Sequence, residues 1–167
     1  MSSIPASQGP TLAGWREWLA LPALGIPAIK AKLDTGARTS ALHAFFTEPY
    51  RENHKSLIRF GVRPLQRRQR LTVICTAEIL DQRLVSDSGG HRETRWVIAT
   101  PARLGEDEWT LELTLTDRDS MLFRMLLGRS AMSGRLLVDP QASYLVGRKP
   151  NLKCLYPPLA TGEPTQR

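Results

Sequence analysis

Four consecutive residues, Asp34-Thr35-Gly36-Ala37, close the alternating run Ile29-Lys30-Ala31-Lys32-Leu33. A carboxylate at a strand end, on a turn that glycine lets bend sharply, is placed to take a proton from water or give one to a carbonyl oxygen. The threonine hydroxyl can bond to neighbouring backbone rather than face water. Acid–base work of this kind on water needs two carboxylates, and the motif occurs once in the chain. Catalysis by Asp34 therefore requires a second copy of the protein. The alternative is an ordinary hairpin turn whose aspartate caps its own backbone.

A second group of residues lies in Val85–Arg95. The pair Gly89-Gly90, between strand-like flanks, makes a mobile hairpin able to close over a peptide and exclude water. His91, Arg92 and Arg95 beside it, with Arg38 just after the Asp34 motif, supply cations. Guanidinium groups hold carboxylates bidentately, so these residues favour an acidic substrate. Two alternatives stay open: an exposed hairpin with a polar tip, and ion pairing of Arg92 or Arg95 with Glu93 or nearby acids. The histidines His43, His54 and His91 are widely spaced, with no H-E-x-x-H and no paired C-x-x-C. A glycine-rich phosphate loop ending in Lys-Ser or Lys-Thr is also missing, so neither metal nor ATP is expected.

These groups need a rigid frame, and 167 residues with 41% hydrophobic content suffice for one domain with a core. Ile29–Leu33, Leu71–Ile79, Trp96–Ile98 and Thr110–Thr116 read as half-buried strands, by alternation or β-branched content. Turn signals separate them at Gly36, at 87–90, at 105–107 and at Asp139-Pro140. Only Arg129–Gly134, after the apolar run Met125-Leu126-Leu127-Gly128, reads as a short helix. The spacing predicts a mainly β unit, a closed or nearly closed barrel, over 13–147. Residues 1–12 read as a flexible leader and 148–167 as a disordered, basic, proline-containing tail.

No run approaches the roughly 18–20 apolar residues that cross a bilayer, and the start lacks a secretory pattern. A cytoplasmic location and no membrane partner are expected. Cys75 reads as a small core residue and Cys154 as a tail residue, without a disulfide between them. The net charge of +7, with Arg63, Arg67, Arg68 and Arg70 in one stretch, favours anionic partners: nucleic acid, a ribosome surface or an acidic peptide.

The blocks 14–18, 29–43, 88–93, 112–116, 124–129 and 138–140 together resemble the retropepsin-like aspartic peptidases. The chain is similar to their bacterial RimB family, often labelled "ATP-dependent zinc protease", from about Gly14 to Arg148. The resemblance implies an acid-protease closed barrel with one short helix near the C-terminal side of the core. It implies a homodimer in which each chain donates one Asp34 to a two-carboxylate site, with Thr35 and Gly36 in the same loop. Gly128 and Arg129 would support that loop from beneath. Like charges this close share one proton, so the ionised member takes a proton from water while the protonated one polarises the scissile carbonyl. Ala37 cannot donate a hydroxyl bond to the carboxylate, so activity is expected to persist above the strongly acidic range.

Family members are often encoded beside RimK-type glutamate ligases, which extend a ribosomal protein with glutamates. The resemblance therefore implies a dimeric endopeptidase acting on acidic or polyglutamylated tails, with the ligase and the ribosome as associated partners. A second reading is a basic β-barrel that binds RNA or the ribosome through Arg63–Arg70, although aromatics make up only 7% of the chain. A third is a regulator of the ligase without turnover of its own.

Overall fold

The computed structural model describes residues 9–86, 89–118 and 122–156. Its frame is a ring of six strands: β2 (Arg16–Leu21), β3 (Ile26–Leu33), β4 (Ser40–His43), β9 (Arg92–Leu104), β10 (Asp107–Thr116) and β11 (Met125–Leu127). Hydrogen bonding runs β10-β4-β11-β3-β2-β9, and pairing of β9 with β10 closes the ring. The seam between β2 and β9 is one residue pair long, Ala20 with Arg103. β8 (Asp81–Ser86) hangs on the outer end of β9, where it forms an antiparallel hairpin.

Alternation explains which side chains point inward. On β10, Trp109, Leu111, Leu113 and Leu115 are buried in the ring, each contributing about 1.5–3 kcal/mol of burial. Ile29, Ala31 and Leu33 of β3 join them, as do Met125 and Leu127 of β11. A separate sheet of β5 (Phe46–Glu52), β6 (Lys55–Val62) and β7 (Val73–Glu78) adds Ile58, Phe60, Val62 and Cys75 to the same core. Its β5–β6 turn, Asn53-His54, has φ of 54° and 66°, the left-handed pair that a tight hairpin demands. β1 (Thr11–Gly14) and β12 (Leu136–Asp139) pair in parallel outside the ring.

The mainly β barrel agrees with expectation, and the expected helix is α1 (Arg129–Met132). Two boundaries and the helix count differ. β1 starts at Thr11, inside the expected leader, and residues 1–8 lie outside the described residues. The expected tail is folded as far as Tyr156, with a second short helix, α2 (Leu152–Leu155), where one short helix was expected. The reason is an anchor: the Tyr156 hydroxyl donates to the Ala28 carbonyl at 2.6 Å and accepts from the Ala28 N–H at 3.2 Å. Residues 157–167 lie outside the described residues.

Glu17, wholly buried on β2, ties the segment after β12 to the ring. Its carboxylate accepts backbone N–H bonds from Gly14 at 2.5 Å, Leu145 at 3.0 Å, Val146 at 3.1 Å and Gly147 at 2.6 Å. A buried carboxylate is tolerated only with such complete satisfaction.

Candidate active site

The Asp34 loop leaves the end of β3 and is held from below by β11. β11 lies parallel to β3, with Leu127 opposite Leu33, and the Leu127 carbonyl accepts the Asp34 N–H at 2.8 Å. The loop then folds on itself: the Ala37 N–H bonds the Asp34 carbonyl at 3.2 Å, and the Gly36 N–H donates to Asp34 Oδ1 at 2.9 Å. One carboxylate oxygen is thus committed to the turn. Among the described residues that is the one side-chain hydrogen bond of Asp34, which is half-buried, with Thr35 and Gly36 exposed beside it.

The chain beyond β11 braces the other side of the loop. Arg129 N–H donates to the Ala37 carbonyl at 2.8 Å, and its Nη1 reaches the Thr35 and Gly36 carbonyls, each at 3.2 Å. The Arg38 carbonyl accepts from the Ser130 N–H at 3.1 Å and from Ser130 Oγ at 2.9 Å. The Gly128 N–H donates to Ser40 Oγ at 3.0 Å. A Cβ on Gly128 would stand 2.6 Å from the carbonyl carbon and oxygen of Thr39, so only glycine lets the two backbones approach this closely.

The expected flap corresponds to the β8–β9 hairpin. Ser86 is paired with Arg92, and Gly90 has φ of 87°, the left-handed conformation that glycine adopts freely. Asp87 and Ser88 lie outside the described residues. Gly89 and Gly90 form the described part of the tip, and Arg92 is exposed beside it. His91, Arg92, Glu93, Arg95 and Arg118 surround a small pocket of about 280 Å³ at the hairpin base. Arg38 is exposed on the Asp34 loop and is not among the residues that line this pocket.

Arg95 is placed in the ion-pairing alternative. It is 7% exposed, its Nε donates to Glu93 Oε2 at 2.7 Å, and its Nη1 donates to Thr114 Oγ1 at 3.3 Å. Thr116 Oγ1 also donates to Glu93 Oε2 at 2.7 Å, and Thr114 Oγ1 donates to the Ser40 carbonyl at 3.0 Å. The chain of contacts runs from the hairpin through β10 to Ser40, whose hydroxyl holds Gly128 under the Asp34 loop. Thr114, Thr116 and Ser40 were missed in the sequence. The period-two placing of Thr114 and Thr116 is a signal that could have marked them as one face of a strand.

Among the described residues, no group of three or more His, Cys, Asp or Glu side chains is arranged to hold a metal ion. No helix among them is long and apolar enough to cross a membrane.

Residues 12–149 match the RimB-like family, described as retropepsin-like aspartic endopeptidase RimB. Two relatives named probable alpha-L-glutamate ligase are similar in sequence. One, from Parasynechococcus marenigrum, is 47% identical over 152 residues, covering 90% of this chain and 33% of that protein. The other, from Shewanella pealeana, is 45% identical over 142 residues, covering 85% of this chain and 31% of that protein. The chain thus spans about a third of the length of the curated relatives it matches. Among solved structures, a protein of unknown function from Legionella pneumophila superposes with a TM-score of 0.66 at 26% identity. That match covers 81% of this chain and 97% of the other.

Proposed function

The chain belongs to the RimB-like family of retropepsin-like aspartic endopeptidases, and on that premise we propose that it is a dimeric peptidase with one Asp34 from each copy at a twofold axis. The observation that carries this reading is the presentation of Asp34. Its Oδ1 is fixed by Gly36, the side chain is only half-buried at an exposed turn, and the loop is braced on both sides by β11 and α1. Two such carboxylates brought together share one proton. The ionised one takes a proton from water as that oxygen attacks the scissile carbonyl, and the protonated one donates to the carbonyl oxygen. Collapse of the tetrahedral diol breaks the C–N bond: the carboxyl that took the water proton gives it to the leaving nitrogen, and the other carboxylate takes the diol proton, which restores the shared proton.

The substrate is an acidic or polyglutamylated protein tail, with Arg38 and Arg92 as cations for its carboxylates and His91 beside Arg92. Similarity of this unit to about a third of proteins named as glutamate ligases supports that choice, because it sets the peptidase beside glutamate-containing products. A RimK-type ligase as partner, a ribosomal protein as substrate and a cytoplasmic setting follow from the same reading.

The test is cleavage of a glutamate-tailed protein by wild-type and Asp34→Asn chains, with the assembly state followed by sedimentation. Asparagine should lower turnover by about 10²–10⁴-fold while leaving the dimer intact. Wild-type turnover by the variant, or full turnover by a monomer, would overturn the dyad.

A further inference from the structure

On the outer wall of the ring, away from the Asp34 loop and the hairpin, lies a groove of about 900 Å³. Its size is that of sites taking drug-sized ligands or short peptide segments. The floor is apolar, with Trp18, Leu65 and Leu152, and the rim carries Lys30, Arg67, Lys149 and Lys153. None of the lining residues is acidic. Burial, then Arg16, Arg67 and Lys149, push the Lys30 ammonium below its usual range, so that wall repels its own charge. An anion seated there relieves that repulsion.

We infer that this groove is an exosite for the acidic segment of the substrate, holding glutamate side chains on its cationic rim while the chain continues elsewhere toward Asp34. The inference rests on the reading above for its choice of substrate. An acidic peptide fits better than RNA because the lining aromatics are already engaged. Lys30 lies over Trp18 at 6.0 Å and Arg16 over Tyr144 at 5.1 Å, while Tyr156 is buried with its hydroxyl bonded to Ala28. Single-stranded nucleic acid takes much of its affinity from stacking on open rings, and cations already occupy one face of Trp18 and of Tyr144. Carboxylates need only the cations and an apolar bed for their methylenes.

The experiment measures binding, so that it does not depend on cleavage. Fluorescein-labelled oligoglutamate is titrated by anisotropy into the Asp34→Asn chain, with and without Lys30→Gln, Arg67→Gln and Lys149→Gln together. The triple substitution should weaken binding by about tenfold or more. The single Lys149→Glu change, at an exposed position, should weaken it by about threefold or more whether or not the triple variant folds. Unchanged affinity in either folded variant, or no binding by the parent chain, would overturn the exosite and leave the dyad untouched. An RNA oligonucleotide that binds more tightly than oligoglutamate and is released by the same substitutions would overturn it in favour of nucleic acid.

Discussion

Gly128 and Thr39 meet backbone to backbone, with the Thr39 carbonyl 2.6 Å from where a Gly128 side chain would begin. Gly128 itself has φ of −93°, which any residue adopts, so the demand for glycine is one of space alone. Gly128→Ala should lower stability by about 1–3 kcal/mol and shift the Asp34 loop off the chain that braces it. Thermal unfolding reads the first effect. Peptidase turnover falling by more than the loss of folded protein reads the second.

Glu17 presents a different test, because its carboxylate holds four N–H groups within the fold. Glu17→Gln keeps the shape but replaces one acceptor oxygen with a donor that faces N–H groups. The expected cost is about 2–4 kcal/mol, read as a lower midpoint in urea with little change in slope.

The Arg95 network should show itself in the hairpin. Arg95→Lys keeps the charge and loses the fork that serves Glu93 and Thr114 together. Proteolytic nicking between β8 and β9 should accelerate, and KM for an acidic substrate should rise about two- to tenfold if the hairpin closes over it. Thr116→Val, which removes the second donor to Glu93, should act in the same direction and more weakly.

Burial raises the Cys75 thiol from 9.0 to about 12 and the Tyr156 phenol from 10.0 to about 12. Both folded values lie above the unfolded ones, so the native chain holds more protons in between. Their stabilising contributions are complete below pH 9 and pH 10 respectively, and are lost as pH rises toward about 12. Tyr156→Phe should therefore cost about 0.5–1.5 kcal/mol at neutral pH and flatten the alkaline limb of a stability–pH curve. The two thiols should also part company: exposed Cys154 reacts with a maleimide in the native protein, and Cys75 only after unfolding.

The Ala37 argument gives a kinetic prediction. With no hydroxyl at that position to stabilise the ionised carboxylates, peptidase activity should remain measurable at and above about pH 6. A pH–rate profile that has fallen to nothing by then would reject it.

Local patterns made much of this readable beforehand. Alternation over Ile29–Leu33 and Thr110–Thr116 announced two walls of the ring, and an aspartate followed by Thr-Gly announced the turn. Contacts between distant parts of the chain were not readable. Glu17 finds three of its four partners 128–130 residues away, and one tyrosine anchors a proline-rich segment that composition marked as unstructured. The β5–β6 hairpin passed unnoticed although Asn53 signalled its left-handed turn, because β5 is largely exposed and lacks a hydrophobic period. Arg95 lay between two readings, since a cation two residues from Glu93 on one strand face fits both an ion pair and a substrate contact.

β9 runs for thirteen residues without a break, its first part paired with β8 and its later part with β10. Hairpin and wall are consequently a single lever, with Arg95 near the fulcrum and no loop between the two arms. Lifting the tip has to flex the strand itself, and the Arg95 contact passes that strain to Thr114, whose hydroxyl donates to the Ser40 carbonyl beneath the acidic loop.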